Sequence, residues 1–262
     1  MKKICYIFLV LLAVSSCSIR EERDDCPCFL GLTVTSQYDF IFQEGKAWCD
    51  LFSEDGSRFE DSPLEEMNAR DTTIWYRIFP RRTVSAVVSN KEIVAGNVVA
   101  NYGEEFCELW AFRKDIVCLE EEVNEMIYKQ DKQFCNLTVQ LSDAAMPMAS
   151  ELVVRVNAPY DGTSFPSMKA HMGDYLFRTI FDDKGKATIR LPRQGGQGLM
   201  LYVQKIDSFT STYNLYDIMS MAHYDWNAAS LDDFELTASL NSVSGDIEII
   251  DWEIVNIGDK EF

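Results

Sequence analysis

Apolar side chains recur at every second position in short segments spaced along this chain. Leu137, Val139 and Leu141 alternate with Asn136, Thr138 and Gln140. Leu152, Val154 and Val156 share one parity, as do Ala187, Ile189 and Leu191, and then Phe234, Leu236, Ala238 and Leu240. In the N-terminal half Ile74, Tyr76 and Ile78 alternate with Trp75, Arg77 and Phe79, and Val84, Ala86 and Val88 follow. Successive side chains on a strand point to opposite faces, so the pattern predicts strands with one buried face. Glu54-Asp55-Gly56 and Asp183-Lys184-Gly185 carry the glycine that supplies positive φ in a tight turn, and Pro80-Arg81-Arg82 is predicted to close a hairpin. Strands recurring about every ten residues between such turns predict antiparallel β-sandwiches.

Helical signals are few. Ser62-Pro63-Leu64-Glu65 has the Ser, Pro and Glu of a capping box and predicts a short helix over 62–69. Leu215, Ile218, Met219 and Ala222 fall on one face of a second short helix. Near the end, Ile247 and Ile249 give way to Ile250, Trp252 and Ile254, a change of parity that a β-bulge explains. The polar stretch 128–133 separates two strand-rich halves, so domains are expected at 26–131 and 132–258. The fold class is therefore expected to be all-β, with few short helices. A chain of 262 residues, 47% apolar and 25% charged, is long enough to bury a sizeable core. Its 42 acidic residues against 24 Lys and Arg give a net charge of −18, which repels phosphate backbones and excludes nucleic acid as a partner.

The N-terminus reads as an address. Lys2 and Lys3 precede an apolar run over 4–14, then Ser15 and Ser16 precede Cys17. These are the three regions of a signal peptide over 1–16, and the run is too short for a membrane-spanning helix. Val14-Ser15-Ser16-Cys17 resembles the lipobox of bacterial lipoproteins, which places cleavage after Ser16 and lipidation on Cys17. An ordinary secretory signal that ends near a cysteine is the alternative. Removing 1–16 takes away two lysines and no acid, leaving 22 basic and 42 acidic residues and a net charge of −20. Residues 17–25 form an acidic tether in which Glu21, Glu22, Asp24 and Asp25 look like a surface-export signal of Bacteroidetes lipoproteins. A solvated spacer has the same composition.

Reactive chemistry is sparse. Cys26, Cys28, Cys49, Cys107, Cys118 and Cys135 remain after the signal and the lipid site, and six thiols can pair in fifteen ways. A Cys26–Cys28 bridge across Pro27 would be strained, and Cys-Pro-Cys is not a zinc-ligand spacing, so disulfides to distant partners are open and no metal is expected. The two histidines, His171 and His223, lie in no nucleophile-elbow or metalloprotease motif, and His223 sits at a predicted helix end. Gly195-Gly196-Gln197-Gly198 precedes a strand and reads as a hairpin loop, because a dinucleotide fingerprint must open a helix. The loop around Gly56 fails as a calcium site, since Leu51 and Ser62 occupy the liganding ends. Paired acids such as Asp182-Asp183 or Asp232-Asp233 are common on so acidic a chain and predict no glycosidase by themselves. No catalytic residue and no cofactor is expected. Trp48, Trp75, Trp110, Trp226 and Trp252 admit a different role, stacking on sugars; Trp252 is expected in the core and Trp226 beside a polar loop.

Several segments carry a family resemblance in order along the chain. Cys17 and the acidic tether lead to Asp24-Asp25-Cys26-Pro27; Trp48-Cys49-Asp50-Leu51-Phe52-Ser53-Glu54-Asp55-Gly56 follows; Ile78-Phe79-Pro80 leads into Val84-Ser85-Ala86-Val87-Val88; Ile247-Glu248-Ile249-Ile250-Asp251-Trp252 closes the chain. Together they resemble the fimbrial anchor family of Bacteroidia, the FimB and Mfa-type anchor subunits. Ser53 stands where that family usually has an acid, and Arg81 where Gly is frequent. The resemblance implies two tandem transthyretin-like β-sandwich domains, lipid-anchored at the outer membrane and exposed at the cell surface. It also implies pilin subunits as partners, joined by β-strand addition in support of adhesion. The strand over 247–254 and the tail 256–262 are the expected engaging end. A surface glycan-binding lipoprotein using exposed aromatics is the alternative.

Overall fold

The computed structural model describes residues 26–33, 47–63, 73–118, 123–127, 129–205, 210–241 and 246–256. Sixteen strands occur among them: β1 (Cys28–Thr33), β2 (Trp48–Ser53), β3 (Arg58–Pro63), β4 (Thr73–Ile78), β5 (Thr83–Ser89), β6 (Asn97–Val99), β7 (Ala111–Val117), β8 (Val123–Ile127), β9 (Phe134–Leu141), β10 (Leu152–Ser164), β11 (Lys169–Ile180), β12 (Lys186–Pro192), β13 (Met200–Lys205), β14 (Thr210–Asn214), β15 (Asp233–Leu240) and β16 (Ile247–Val255). A 3-10 helix (Met146–Glu151) and one α-helix, α1 (Leu215–Met221), complete an all-β fold. Asn214 caps α1 by accepting from the Asp217 amide, and Leu215 and Met219 turn its apolar face inward.

The strands form four sheets, ordered β4-β1-β8, β3-β2-β5-β7, β11-β10-β13-β14 and β12-β9-β15-β16. The first two sheets enclose a core of Cys28, Leu30 and Leu32 from β1, Cys49 and Leu51 from β2, and Val84, Ala86 and Val88 from β5. The last two enclose a larger core in which Leu137, Val139, Val154, Val156, Ile189, Leu191, Phe234 and Leu236 meet. The predicted alternations thus name the inward faces of most strands. Pairing is mainly antiparallel, with one parallel pair in each half, β1 with β8 and β9 with β15.

Phe52, Val87 and Ala111 project from the opposite face of the sheet β3-β2-β5-β7 and belong to the larger core. That sheet is therefore covered on both sides at its centre, which is why β5 reads Ala-Val-Val rather than as a strict alternation. The strand β6 strengthens the connection: it lies in the chain's first half yet pairs with the far end of β10. Gly162 makes that contact, since a Cβ there would stand 2.1 Å from the Val98 carbonyl oxygen.

Three local expectations differ from what is found. Residues Ser62 and Pro63 end β3 rather than capping a helix, pairing with Cys49 and Trp48; the rest of 62–69 lies outside the described residues. β3 is an edge strand, where a proline costs no inner ladder bond. The turn at Pro80 is no hairpin, because β4 pairs with β1 whereas β5 pairs with β2 and β7. The loop at Gly195–Gly198 likewise passes from the sheet of β12 to the sheet of β13. Alternation reports which side of a strand is buried and is the same whether the chain folds back within a sheet or arches across a core. The bulge is found where the parity changes: Ala238 faces Ile249 and Thr237 faces Asp251, leaving Ile250 as the extra residue.

Candidate functional site

The polar stretch 128–133, read from sequence as a separator, is locked where the halves meet. Lys132 and Gln133 are buried. The Lys132 amine pairs with Asp233 and lies 4.6 Å from the Phe134 ring centroid. The same carboxylate accepts from the Asn136 amide at 2.6 Å and its side chain at 3.2 Å. Gln133 Nε2 donates to the Ala229 carbonyl at 3.0 Å, and its Oε1 accepts from Arg193 Nη2 at 2.7 Å. Arg193 Nη1 reaches the carbonyls of Trp226 at 2.5 Å and Ala228 at 2.9 Å. Burial lowers the Arg193 pKa from its ordinary value, an effect opposed by the field of Asp225 and Asp131, among others. Burial also raises the Asp131 carboxyl. Backbone bonds tie the stretch to both halves: the Ala111 amide donates to the Asp131 carbonyl, and the Leu231 amide to that of Lys132. The junction is thus a buried, hydrogen-bonded polar node.

Beside this node lies a cleft of about 660 Å³ whose lining includes Arg113, Asp131, Tyr160, Arg193, Gln194 and Asn227. Arg113 crosses between halves by donating from Nη1 to the Pro166 carbonyl at 2.9 Å, and its other nitrogens chelate Asp115 at 2.9 Å each. The cleft has mixed polarity and brings together no nucleophile and base. His171 Nδ1 and Asp161 Oδ1 are 2.7 Å apart on β11 and β10, while His223 is exposed past the end of α1 with a φ of 62°. Among the described residues, no group of three or more His, Cys, Asp or Glu side chains could hold a metal ion.

Two surfaces can meet a partner. The outward face of the sheet β4-β1-β8 carries Phe29, Trp75, Val123 and Ile127, with Phe79 just beyond β4. The Trp75 ring lies against Gly31, where a Cβ would come within 2.8 Å of it, so the missing side chain is what lets the indole lie across β1. The second surface is the edge strand β16, which pairs on one side with β15 and exposes Ile250 and Trp252. Trp252 is 39% exposed, contrary to the expected core placement: the bulge at Ile250 keeps it on the side of its buried partner Leu236, but β16 is the outermost strand of its sheet and leaves the indole partly uncovered. Trp226 differs in the other direction. It is 6% exposed, packed at 4.7 Å on Tyr224, and unsuited to stack on a sugar. Trp75 and Phe79 stand in the sequence as the alternates of inward-facing Ile74, Tyr76 and Ile78, and nothing local to β1 or β8 marks Phe29, Val123 and Ile127 as their neighbours.

The six cysteines divide between the two cores and the surface. Cys28, Cys49 and Cys118 lie in the first core, Cys135 in the second with Cys107 half-buried against it, and Cys26 is exposed. Burial pushes the Cys135 thiol up to about 12 and raises that of Cys107. Ser16, Cys17, the tether and the tail beyond Asn256 lie outside the described residues. Within those residues no helix is long and apolar enough to cross a membrane.

No protein-family profile and no curated protein matches the sequence. Solved structures do match. The fimbrial anchor protein Mfa2 from Porphyromonas gingivalis is 12% identical, with 87% of this chain and 97% of that one covered at a TM-score of 0.58. A candidate polysaccharide-binding protein from Bacteroides thetaiotaomicron is 8% identical, with 86% and 98% covered at 0.59. A fimbrial assembly protein from Parabacteroides distasonis is 9% identical, with 90% and 97% covered at 0.50. Likeness at such identities is one of fold. This chain shares its all-β architecture, over most of its length, with fimbrial anchor and assembly proteins and candidate adhesins of Bacteroidales.

Proposed function

We propose that the protein is a fimbrial anchor or accessory subunit, tethered to the outer membrane through lipid on Cys17 and joined to pilin subunits by β-strand addition. The observation that carries this reading is the fold shared with Mfa2 along nearly the whole of both chains. Three physical features support it. Acyl chains contribute about 0.8 kcal/mol per buried methylene, so a diacylated Cys17 would hold the chain at a bilayer. The halves, taken as domains 26–131 and 132–258, share a packed core and a hydrogen-bonded junction, as a body under tension requires. The edge of β16 leaves one row of backbone groups unpaired by β15 and offers Ile250 and Trp252 to a neighbour, the arrangement that strand addition uses. The reading assigns no reaction to the protein.

Fimbriae sheared from cells test it. The expected result is this protein in the sheared fraction, with an N-terminal peptide that begins at Cys17 and carries acyl mass. Fibres without the protein, together with a mature chain that starts elsewhere and partitions into water, would overturn the reading.

A second reading, glycan binding, rests on the Trp75 face, where Trp75 and Phe79 are each 51% exposed. Aromatic platforms of this kind stack on sugar rings. Glycan pull-down by the soluble body, lost in Trp75→Ala and kept in Trp226→Phe, is its signature; retention with Trp75→Ala removes it.

A further inference from the structure

The start of β1 and the end of β7 bring two thiols together between the sheets of the first half. Cys28 opens β1 and shares its inward face with Leu30 and Leu32. Cys118 follows β7 and continues the parity of Ile116, whose side chain enters the same core. Both cysteines are fully buried. Asn124, on β8 and level with Leu30 of β1, points its amide at both sulfurs: Nδ2 is 3.3 Å from Cys28 Sγ and 3.9 Å from Cys118 Sγ. One side-chain amide thus touches both sulfurs, which places the two thiols side by side across the core. Cys49 enters the same core from β2, whereas Cys135, Cys107 and Cys26 lie outside it.

We propose that Cys28 and Cys118 form a disulfide that bolts β1 to the facing sheet. The oxidant is a disulfide of a thiol oxidase or of oxidised glutathione. One thiolate attacks it, giving a mixed disulfide and expelling a thiolate; the second thiolate then displaces the remaining sulfur. Two electrons pass to the oxidant, which leaves as two thiols, and the protein loses two hydrogens. The exchange belongs to folding rather than to the finished body. Burial, with the Cys28 contact adding to it, pushes the Cys118 thiol up to about 12, so the folded pair holds little of the attacking thiolate at neutral pH.

The bond has a mechanical consequence. β1 is the first described strand after the tether, so tension applied at the N-terminus reaches the body through it. A strand held only by ladder bonds to β4 and β8 can be peeled from its end, whereas one bonded at Cys28 to the opposite sheet transmits load into both. The loop closed between Cys28 and Cys118 spans most of the first half, and long loops lose the most unfolded-state freedom on closure.

The test is a disulfide map of the full chain exported to an oxidising compartment, denatured and alkylated without reductant. The expected result is one peptide pair joining Cys28 to Cys118, with neither residue alkylated. Reductant should lower the melting midpoint of that protein by roughly 5–10 °C and leave the Cys28→Ala/Cys118→Ala variant unchanged. Alkylation of both residues in the exported chain, or a peptide pair joining either one to Cys26, Cys49, Cys107 or Cys135, would overturn the proposal. The map is made on the unsubstituted protein, so it decides the matter even if the variant does not fold. It is also independent of whether the protein binds a fimbria.

Discussion

A lysine amine removed from water is tolerable only where a carboxylate meets it, and Lys132 at 1% exposure meets Asp233. The converse also holds: Lys132→Ala would leave Asp233 facing Asn136 without its cation. We expect a loss of about 3 kcal/mol in urea unfolding, the cost of breaking a largely buried pair, and a loss below about 1 kcal/mol would contradict the node described here. Asp115 gives a pH prediction. Burial pulls its carboxyl upward, but hydrogen bonds from Ser85 at 2.6 Å and from Arg113 outweigh it and hold the group below its ordinary 3.8. A carboxylate depressed by folding contributes stability above its unfolded pKa and loses it as pH falls through the lower folded value. The wild type should therefore lose an increment of stability below about pH 4 that Asp115→Asn never had, measured as the difference in unfolding midpoint between pH 6 and pH 3. Equal pH dependence of the two proteins would refute the assignment. Neither site was visible in the sequence: Lys132 and Gln133 sit in a polar run, and nothing local to a polar run says that another segment, here 225–233, will close over it.

At the scale of elements, inward faces were legible and connections were not. The period-two pattern located Leu137 to Leu141, Leu152 to Val156 and Phe234 to Ala238 because burial of one face is written in each strand by itself. Which strands become neighbours depends on long-range pairing, so the turns at Pro80 and Gly195 carry hairpin chemistry yet arch between sheets. The Ser62 cap shows the same limit, since helix-start chemistry in a short segment loses to an edge pairing with β2. β16 was the most legible element, its bulge marked by the shift from Ile249 to Ile250. If its edge receives or supplies a pilin strand, Trp252→Lys should leave the melting temperature of the soluble body within a few degrees and reduce pilin capture at least tenfold. A charged residue on an edge opposes further pairing. Unchanged capture would move the contact to another edge. By contrast Gly162→Val must displace β6 from β10, because no side chain fits beneath the Val98 carbonyl, and should destabilise the body by several kcal/mol.

At the scale of the whole molecule, the proposed anchor combines a lipid address, a body whose halves share a core and an open sheet edge. The proposed address and tether are read from residues 1–25, the strands from period-two patterning, and the structure adds that Phe52, Val87 and Ala111 carry one half into the core of the other. The resemblance to fimbrial anchors and the fold shared with Mfa2 point the same way from different observations. The central claim is that fatty chains on one sulfur hold fibres to the cell, and Cys17→Ala in the native host tests it most directly. Fimbriae should then be recovered from the culture medium with the variant still at their end. Fibres that stay on cells carrying Cys17→Ala would contradict it.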